Sequence, residues 1–178
     1  FRGRPAVLEG VGYLFAYACA AQIAWTMFFS FCLFLPAFVS QVVALVSLSC
    51  LLVSQRLVRR REESRREYWL LRFPFSVHVG WTFVSTALHW SVLSLEYGAS
   101  PSTQLADAIV SVALLLTVTF LFLGAMTRSS LVVPLIIIWA FVGIYWNLRH
   151  PTHQIESRFG GNVCDAFRHS ILAFAGIS

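Results

Sequence analysis

Four side chains capable of chemistry recur at helical intervals within an otherwise apolar stretch, residues 69–96. They are His78, Ser85, His89 and Glu96. At about 100° per residue, these positions fall within roughly 40° of one another on a helix. The stretch is therefore predicted to form a helix with one polar stripe, and we expect any specific site to include that stripe.

The two histidines suit more than one chemistry. His78 and His89 are 11 residues apart, which is about 16 Å along a helix, so they cannot ligate one metal ion from the same helix. Each could ligate a separate tetrapyrrole as a neutral imidazole, or hydrogen-bond the polar edge of a ligand. The simpler alternative is that neighbouring helices satisfy both rings.

Metal binding and catalysis have little support in the sequence. The pairs His150/His153 and Asp165/His169 have metal-like spacing, but neither has the further Cys or His partners of a zinc site. No nucleophile-elbow, metalloprotease, phosphate-loop or dinucleotide-binding motif occurs. We therefore predict no metal site, no catalytic residue and no enzymatic activity.

The composition indicates a membrane protein. Of the residues, 58% are hydrophobic and 12% are charged, whereas soluble domains carry about 25% charged residues. The 46 residues between Glu9 and Arg56 contain no charge, which is enough for two spans of about 20 residues. Because lipid offers the backbone no hydrogen bonds, helices are the expected spanning structure. The predicted fold class is all-α, a polytopic transmembrane helical bundle.

About five transmembrane helices are predicted within residues 1–150. Their approximate bounds are 11–33, 37–55, 70–95, 105–126 and 131–148. Residues 151–178 are predicted to form a polar loop and a short amphipathic helix at the membrane interface.

The positive charge comes from arginine alone and is concentrated in residues 56–72. We expect Arg59, Arg60, Arg61, Arg65, Arg66 and Arg72 to meet lipid headgroups or a partner protein. The positive-inside rule places the N-terminus and this segment on the cytosolic side, or the stromal or matrix side of an organelle. Since these arginines lie beside membrane spans, no nucleic-acid partner is expected.

Tryptophans accompany the polar stripe and a later span. An apolar cavity with a few polar groups is the usual make-up of a small-molecule site, although ordinary packing and interfacial belts also use aromatic residues. The candidate ligand-binding residues are His78, Trp81, Ser85, His89, Trp139 and Trp146.

Three segments carry a resemblance to a known family. PFSVHVGW (74–81), WAFVGI (139–144) and QIAW (22–25) resemble segments of the TspO/MBR-related tryptophan-rich sensory proteins, most closely the longer plant and bacterial branch. The resemblance covers about residues 10–150. It implies a five-helix bundle with a hydrophobic pocket, and tetrapyrrole or sterol ligands are associated with the receptor branch. His78 and His89 depart from the family pattern, which tends to have Tyr and Asn there.

Two functions follow as hypotheses. The first is a non-enzymatic integral membrane protein that binds a lipophile between its helices: a tetrapyrrole such as a porphyrin, haem or chlorophyll, a sterol, or another lipid. The second is a small accessory subunit of a photosynthetic or respiratory membrane complex that packs against other subunits. The sequence begins at Phe1 rather than Met, which leaves open whether upstream helices or a transit peptide precede it. An organellar membrane is the expected location.

Overall fold

Helices make up the described part of the chain. The computed structural model describes residues 12–57, 68–124, 131–149 and 159–175, and no strand occurs in these ranges. The elements are α1 (Gly12–Ser30), α2 (Phe34–Leu57), a π-helical turn (Tyr68–Arg72), α3 (Phe73–Glu96), α4 (Pro101–Gly124), α5 (Val132–Arg149) and α6 (Gly161–Ala175). The all-α prediction is confirmed.

Four helices, α1, α2, α4 and α5, are long and apolar enough to cross a membrane. The fifth long helix, α3, has 24 residues and is about 36 Å long, but its polar stripe makes it less apolar. It packs against α2, α4 and α5, so much of its surface faces protein rather than lipid. The least apolar long helix is therefore the central one, as expected when polar groups in a membrane face the interior of the bundle.

The helix boundaries differ from the predicted ones at two turns. The first hairpin was expected to turn between residues 33 and 37, but α1 ends at Ser30 and Pro36 lies in the first turn of α2, where its missing N–H is not needed. The fourth helix begins at Pro101 rather than at about 105. There the Ser100 hydroxyl accepts a hydrogen bond from the Thr103 N–H at 3.3 Å, which caps the helix.

The turns after α1 and α3 have the same hydrogen-bond pattern. After α3, Ala99 N–H donates to the Ser94 carbonyl and Gly98 N–H to that of Leu95, with Gly98 at φ 71°. The turn after α1 repeats this pattern with Cys32 in the equivalent position, at φ 56°. Both are Schellman turns, which favour glycine at the left-handed residue.

Cys32→Gly is expected to stabilise the first hairpin by about 0.5–1 kcal/mol, because glycine adopts a left-handed conformation without a Cβ clash. Thermal unfolding in detergent micelles, followed by far-UV circular dichroism, measures the change. Cys50→Gly is the control, since Cys50 is also exposed but lies inside α2, where glycine is unfavourable. Equal shifts in the two variants would contradict the assigned turn.

The core lies where α2, α3 and α5 meet, and α6 covers part of it. Leu48, Val79, Ile137 and Phe141 are at most 1% exposed. Ile171 of α6 belongs to the same cluster, and α6 packs against α5. The amphipathic C-terminal helix is thus present, and its apolar side packs against the bundle.

The bundle is tightest between α3 and α5. A Cβ added at Gly80 would lie 2.9 Å from the Cβ of Ile136, which is closer than real side chains approach. Glycine at this position therefore allows the two helices to meet closely, as small residues do at helix contacts in membranes.

Candidate functional site

The side chain of His89, on α3, is buried against α1. It is 6% exposed, and its Nε2 accepts a hydrogen bond from the Trp25 indole N–H at 3.2 Å. The imidazole also packs edge-on against Trp25 and Phe29, with ring centroids 5.7 and 5.1 Å away. His89 therefore links the first helix to the central helix, as does the Phe15–Phe75 ring contact at 5.5 Å.

The hydrogen bonds of His89 define its protonation. A neutral imidazole has one acceptor nitrogen and one N–H donor. Since Nε2 accepts from Trp25, the proton of the neutral ring lies on Nδ1. Ligation of a tetrapyrrole metal by Nε2 would displace Trp25.

Ser85 links the same region to α2. Its hydroxyl accepts a hydrogen bond from Gln41 Nε2 and donates to the Thr82 carbonyl at 3.2 Å. Gln41 is 2% exposed, and its Oε1 is buried without a hydrogen-bond partner among the described residues. Gln41, Ser85, His89 and Trp25 together form a polar cluster that connects three helices.

The predicted stripe divides into separate environments along α3. Ser85 and His89 belong to the polar cluster, whereas Glu96 is exposed at the end of the helix. The His78 ring is half-buried, and no hydrogen bond to it is found in the part of the chain that the structure describes. His78 and His89 thus lie in different environments on the same helix.

The candidate tryptophans point away from the polar cluster. Trp81, Trp139 and Trp146 are 54%, 71% and 56% exposed, and Arg149 lies over the Trp146 ring, 5.5 Å from its centroid. These positions suit contact with lipid. Of the six predicted ligand residues, Ser85 and His89 thus belong to the polar cluster, whereas these three tryptophans are exposed.

The predicted arginine dock is described in part. Arg72 is buried, at 7% exposed, and its contact with lipid headgroups or a partner protein stays a prediction. Arg59, Arg60, Arg61, Arg65 and Arg66 lie outside the described residues. Among the described residues, no group of three or more His, Cys, Asp or Glu side chains could hold a metal ion.

A groove of about 410 Å³ lies between α4 and α6. Nine of its ten lining residues are apolar, and Ser170, whose hydroxyl donates to the Ala166 carbonyl at 3.0 Å, is the tenth. The lining residues are Leu105, Ile109, Val112, Ala113, Leu116, Val163, Ala166, Phe167, Ser170 and Ile171. None of them is among the ligand residues predicted from the sequence, although half of them lie on the C-terminal helix that was predicted to be amphipathic.

Long apolar helices packed around one partly polar helix define a multi-pass integral membrane protein. Residues 2–159 match the family model described as TSPO-like protein. Because this match covers most of the chain, the protein belongs to the TSPO-like family, and the resemblance noted in the sequence is confirmed. No curated protein and no solved structure matches the chain.

Proposed function

We propose that the protein binds a neutral lipophile of the sterol class in the groove between α4 and α6. The observation that carries the proposal is the groove itself, whose volume of about 410 Å³ falls within the roughly 300–1,000 Å³ typical of small-molecule sites. Membership of the TSPO-like family supports a binding role, since the resemblance implies lipophilic ligands. The proposed activity is binding, without a chemical step.

The lining favours a ligand with little polarity. The ten lining residues include no charged side chain and no imidazole, so the acidic groups of a tetrapyrrole would lie there without a cation. The Ser170 hydroxyl uses its proton on the Ala166 carbonyl, which leaves its oxygen able to accept from a single ligand hydroxyl. A sterol has that combination of a large apolar body and one hydroxyl.

The membrane gives such a ligand direct access. Ile109 lines the groove and is still 53% exposed, so the groove is open along α4 rather than sealed. A lipophile that diffuses in the bilayer therefore enters from the side. Exposed apolar residues of α1, such as Tyr17 and Ile23, suit lipid and a neighbouring subunit equally, so they do not favour the accessory-subunit function.

Ile109→Trp is expected to weaken sterol binding about tenfold or more, because the indole would occupy the open side of the groove. Binding of the fluorescent sterol dehydroergosterol to the purified protein in detergent measures this effect. Leu114→Trp is the matched control. Leu114 lies on the same helix and is 61% exposed, but it does not line the groove.

The same assay compares the groove with the polar stripe. Dehydroergosterol binding that is not saturable, or that survives Ile109→Trp unchanged, would overturn the proposal. Protoporphyrin IX is the second probe. Saturable porphyrin binding that His78→Ala weakens and Ile109→Trp leaves unchanged would instead assign a tetrapyrrole site to the stripe.

A further inference from the structure

A buried cation marks the entrance to the central helix. Arg72 ends the π-helical turn Tyr68–Arg72 and is 7% exposed, although it carries a guanidinium cation. Pro74 follows in the first turn of α3 and has no N–H for the carbonyl of Leu70. Arg72 already has an interaction within the protein, but its five N–H donors allow it to bind an anionic group as well.

The register of α2 and α3 places Gln55 at the same level. Gln41 is hydrogen-bonded to Ser85 and Phe38 packs against Trp90, so the two helices run in opposite directions with a defined pairing. In an antiparallel helix pair, a step forward along α2 corresponds to a step back along α3. Gln55 lies 14 residues after Gln41, so it lies at the level of residues 71–73. Both Gln55 and Arg72 therefore lie at the end of the bundle where α2 finishes and α3 begins.

Gln55 has hydrogen-bonding capacity that the described residues do not use. Its side chain is 8% exposed, and neither Nε2 nor Oε1 has a partner among them. A buried amide without partners is unfavourable, because its lost hydration is not replaced by protein hydrogen bonds. The end of the bundle thus combines a buried cation with an amide donor and an amide acceptor that have no partner among the described residues.

We propose that Arg72 and Gln55 bind the headgroup of a phospholipid that carries a protonated amine, of the phosphatidylethanolamine class. The phosphate accepts from the Arg72 guanidinium and from Gln55 Nε2, and the ammonium donates to Gln55 Oε1. Phosphatidylcholine has the same phosphate but no N–H donor, so it leaves Oε1 unpaired. Tyr68 and the 60% exposed Trp69, whose rings touch, match the aromatic belt at headgroup depth.

This site is separate from the groove. The groove is lined by α6 and by the part of α4 from Leu105 to Leu116, and α4 begins at the opposite end of α3 from Arg72. The headgroup site therefore does not depend on sterol binding, and either proposal can fail alone.

The test uses the full chain, purified in a mild detergent and titrated with lipid in native mass spectrometry. Phosphatidylethanolamine is expected to bind about tenfold more tightly than phosphatidylcholine with the same acyl chains. Neither lipid has a net charge, so the other arginines cannot produce a preference for phosphatidylethanolamine by charge attraction. Gln55→Leu should remove the preference, and Arg72→Gln should weaken both lipids about tenfold, the change for about 1.4 kcal/mol.

Two controls at the other end of the bundle should leave binding unchanged. They are Gln104→Leu, where the amide donates to the Ala99 carbonyl, and Arg149→Gln, where the guanidinium lies over Trp146. If Arg72→Gln fails to fold, Gln55→Leu and Arg72→Lys still test the proposal. Arg72→Lys keeps the charge but should bind both lipids more weakly than wild type.

Equal affinity of wild type for the two lipids, or a preference that survives Gln55→Leu, would overturn the proposal. Displacement of both lipids by millimolar inorganic phosphate would assign the site to free phosphate instead.

Discussion

Gly80→Val is expected to destabilise the bundle by about 2–3 kcal/mol, the upper part of the range for overpacking a filled interior. Even a Cβ at this position would lie 2.9 Å from the Cβ of Ile136 and 3.2 Å from its Cγ2. The nearest atom is close to the α5 backbone, so a rotamer change cannot relieve the contact. The helices α3 and α5 would have to separate, and the core around Ile137 would lose packing.

Gly143→Val is the matched control. Gly143 also lies within a long helix, α5, but a Cβ added there meets nothing within 4 Å, so the substitution should change stability by less than about 0.5 kcal/mol. Both variants are compared by unfolding in mixed detergent micelles, followed by far-UV circular dichroism. Equal stability of the Gly80 and Gly143 variants would refute the close contact.

Ile136→Ala tests the pair directly. Adding it to Gly80→Val removes the Cγ1 and Cγ2 contacts but retains the Cβ, so partial recovery, about 1 kcal/mol, is expected. In a double-mutant cycle, that recovery appears as coupling between two residues in contact. If the stability losses of the two substitutions were additive, the destabilisation by Gly80→Val would arise from contacts other than the one with Ile136.

The fold was largely predictable because charge and hydropathy determine which segments enter lipid. The 46 uncharged residues before Arg56 correspond to α1 and α2, and the segment with the polar stripe became the central helix. The helix ends were less predictable, because they depend on local hydrogen bonds. Ser100 and Pro101 start α4 earlier than hydropathy indicates, and Cys32 ends α1 in a conformation that favours glycine.

The sites were less predictable because lipid and protein interior have similar polarity. In a soluble protein an apolar face marks the core, but lipid tails are as apolar as leucine side chains. Trp81, Trp139 and Trp146 therefore had the composition of a pocket lining and yet lie on exposed surfaces. The groove between α4 and α6 depends on how two helices separated by many residues pack, which periodicity within either helix does not reveal.

Polar residues within spans gave the more reliable signal. Burying a polar group in a membrane is costly, so each one indicates a partner even when the partner cannot be identified. His89 and Ser85 were selected on that basis, and the structure supplies Trp25 and Gln41 as their partners. Gln41 itself was missed, although a glutamine inside the uncharged 37–55 segment carries the same signal.

His89→Ala is expected to destabilise the bundle by about 2–4 kcal/mol. The substitution removes a ring that is 6% exposed, which leaves a cavity, and it removes the acceptor of the Trp25 indole N–H. Trp25→Phe retains most of the aromatic contact with Phe29 but removes the donor, so a smaller loss of about 1–2 kcal/mol is expected. Unfolding in mixed detergent micelles measures both variants.

The double variant separates the hydrogen bond from the packing. Interhelical hydrogen bonds in membranes contribute about 0.6 kcal/mol on average and up to about 1.7 kcal/mol. The loss in the double variant should therefore fall short of the sum of the single losses by about that amount. Trp139→Phe, at a position that is 71% exposed, should change stability by less than about 0.5 kcal/mol. Strictly additive losses at Trp25 and His89 would mean that the two rings stabilise α1 against α3 by packing alone, and that His89 Nε2 is free to bind a ligand.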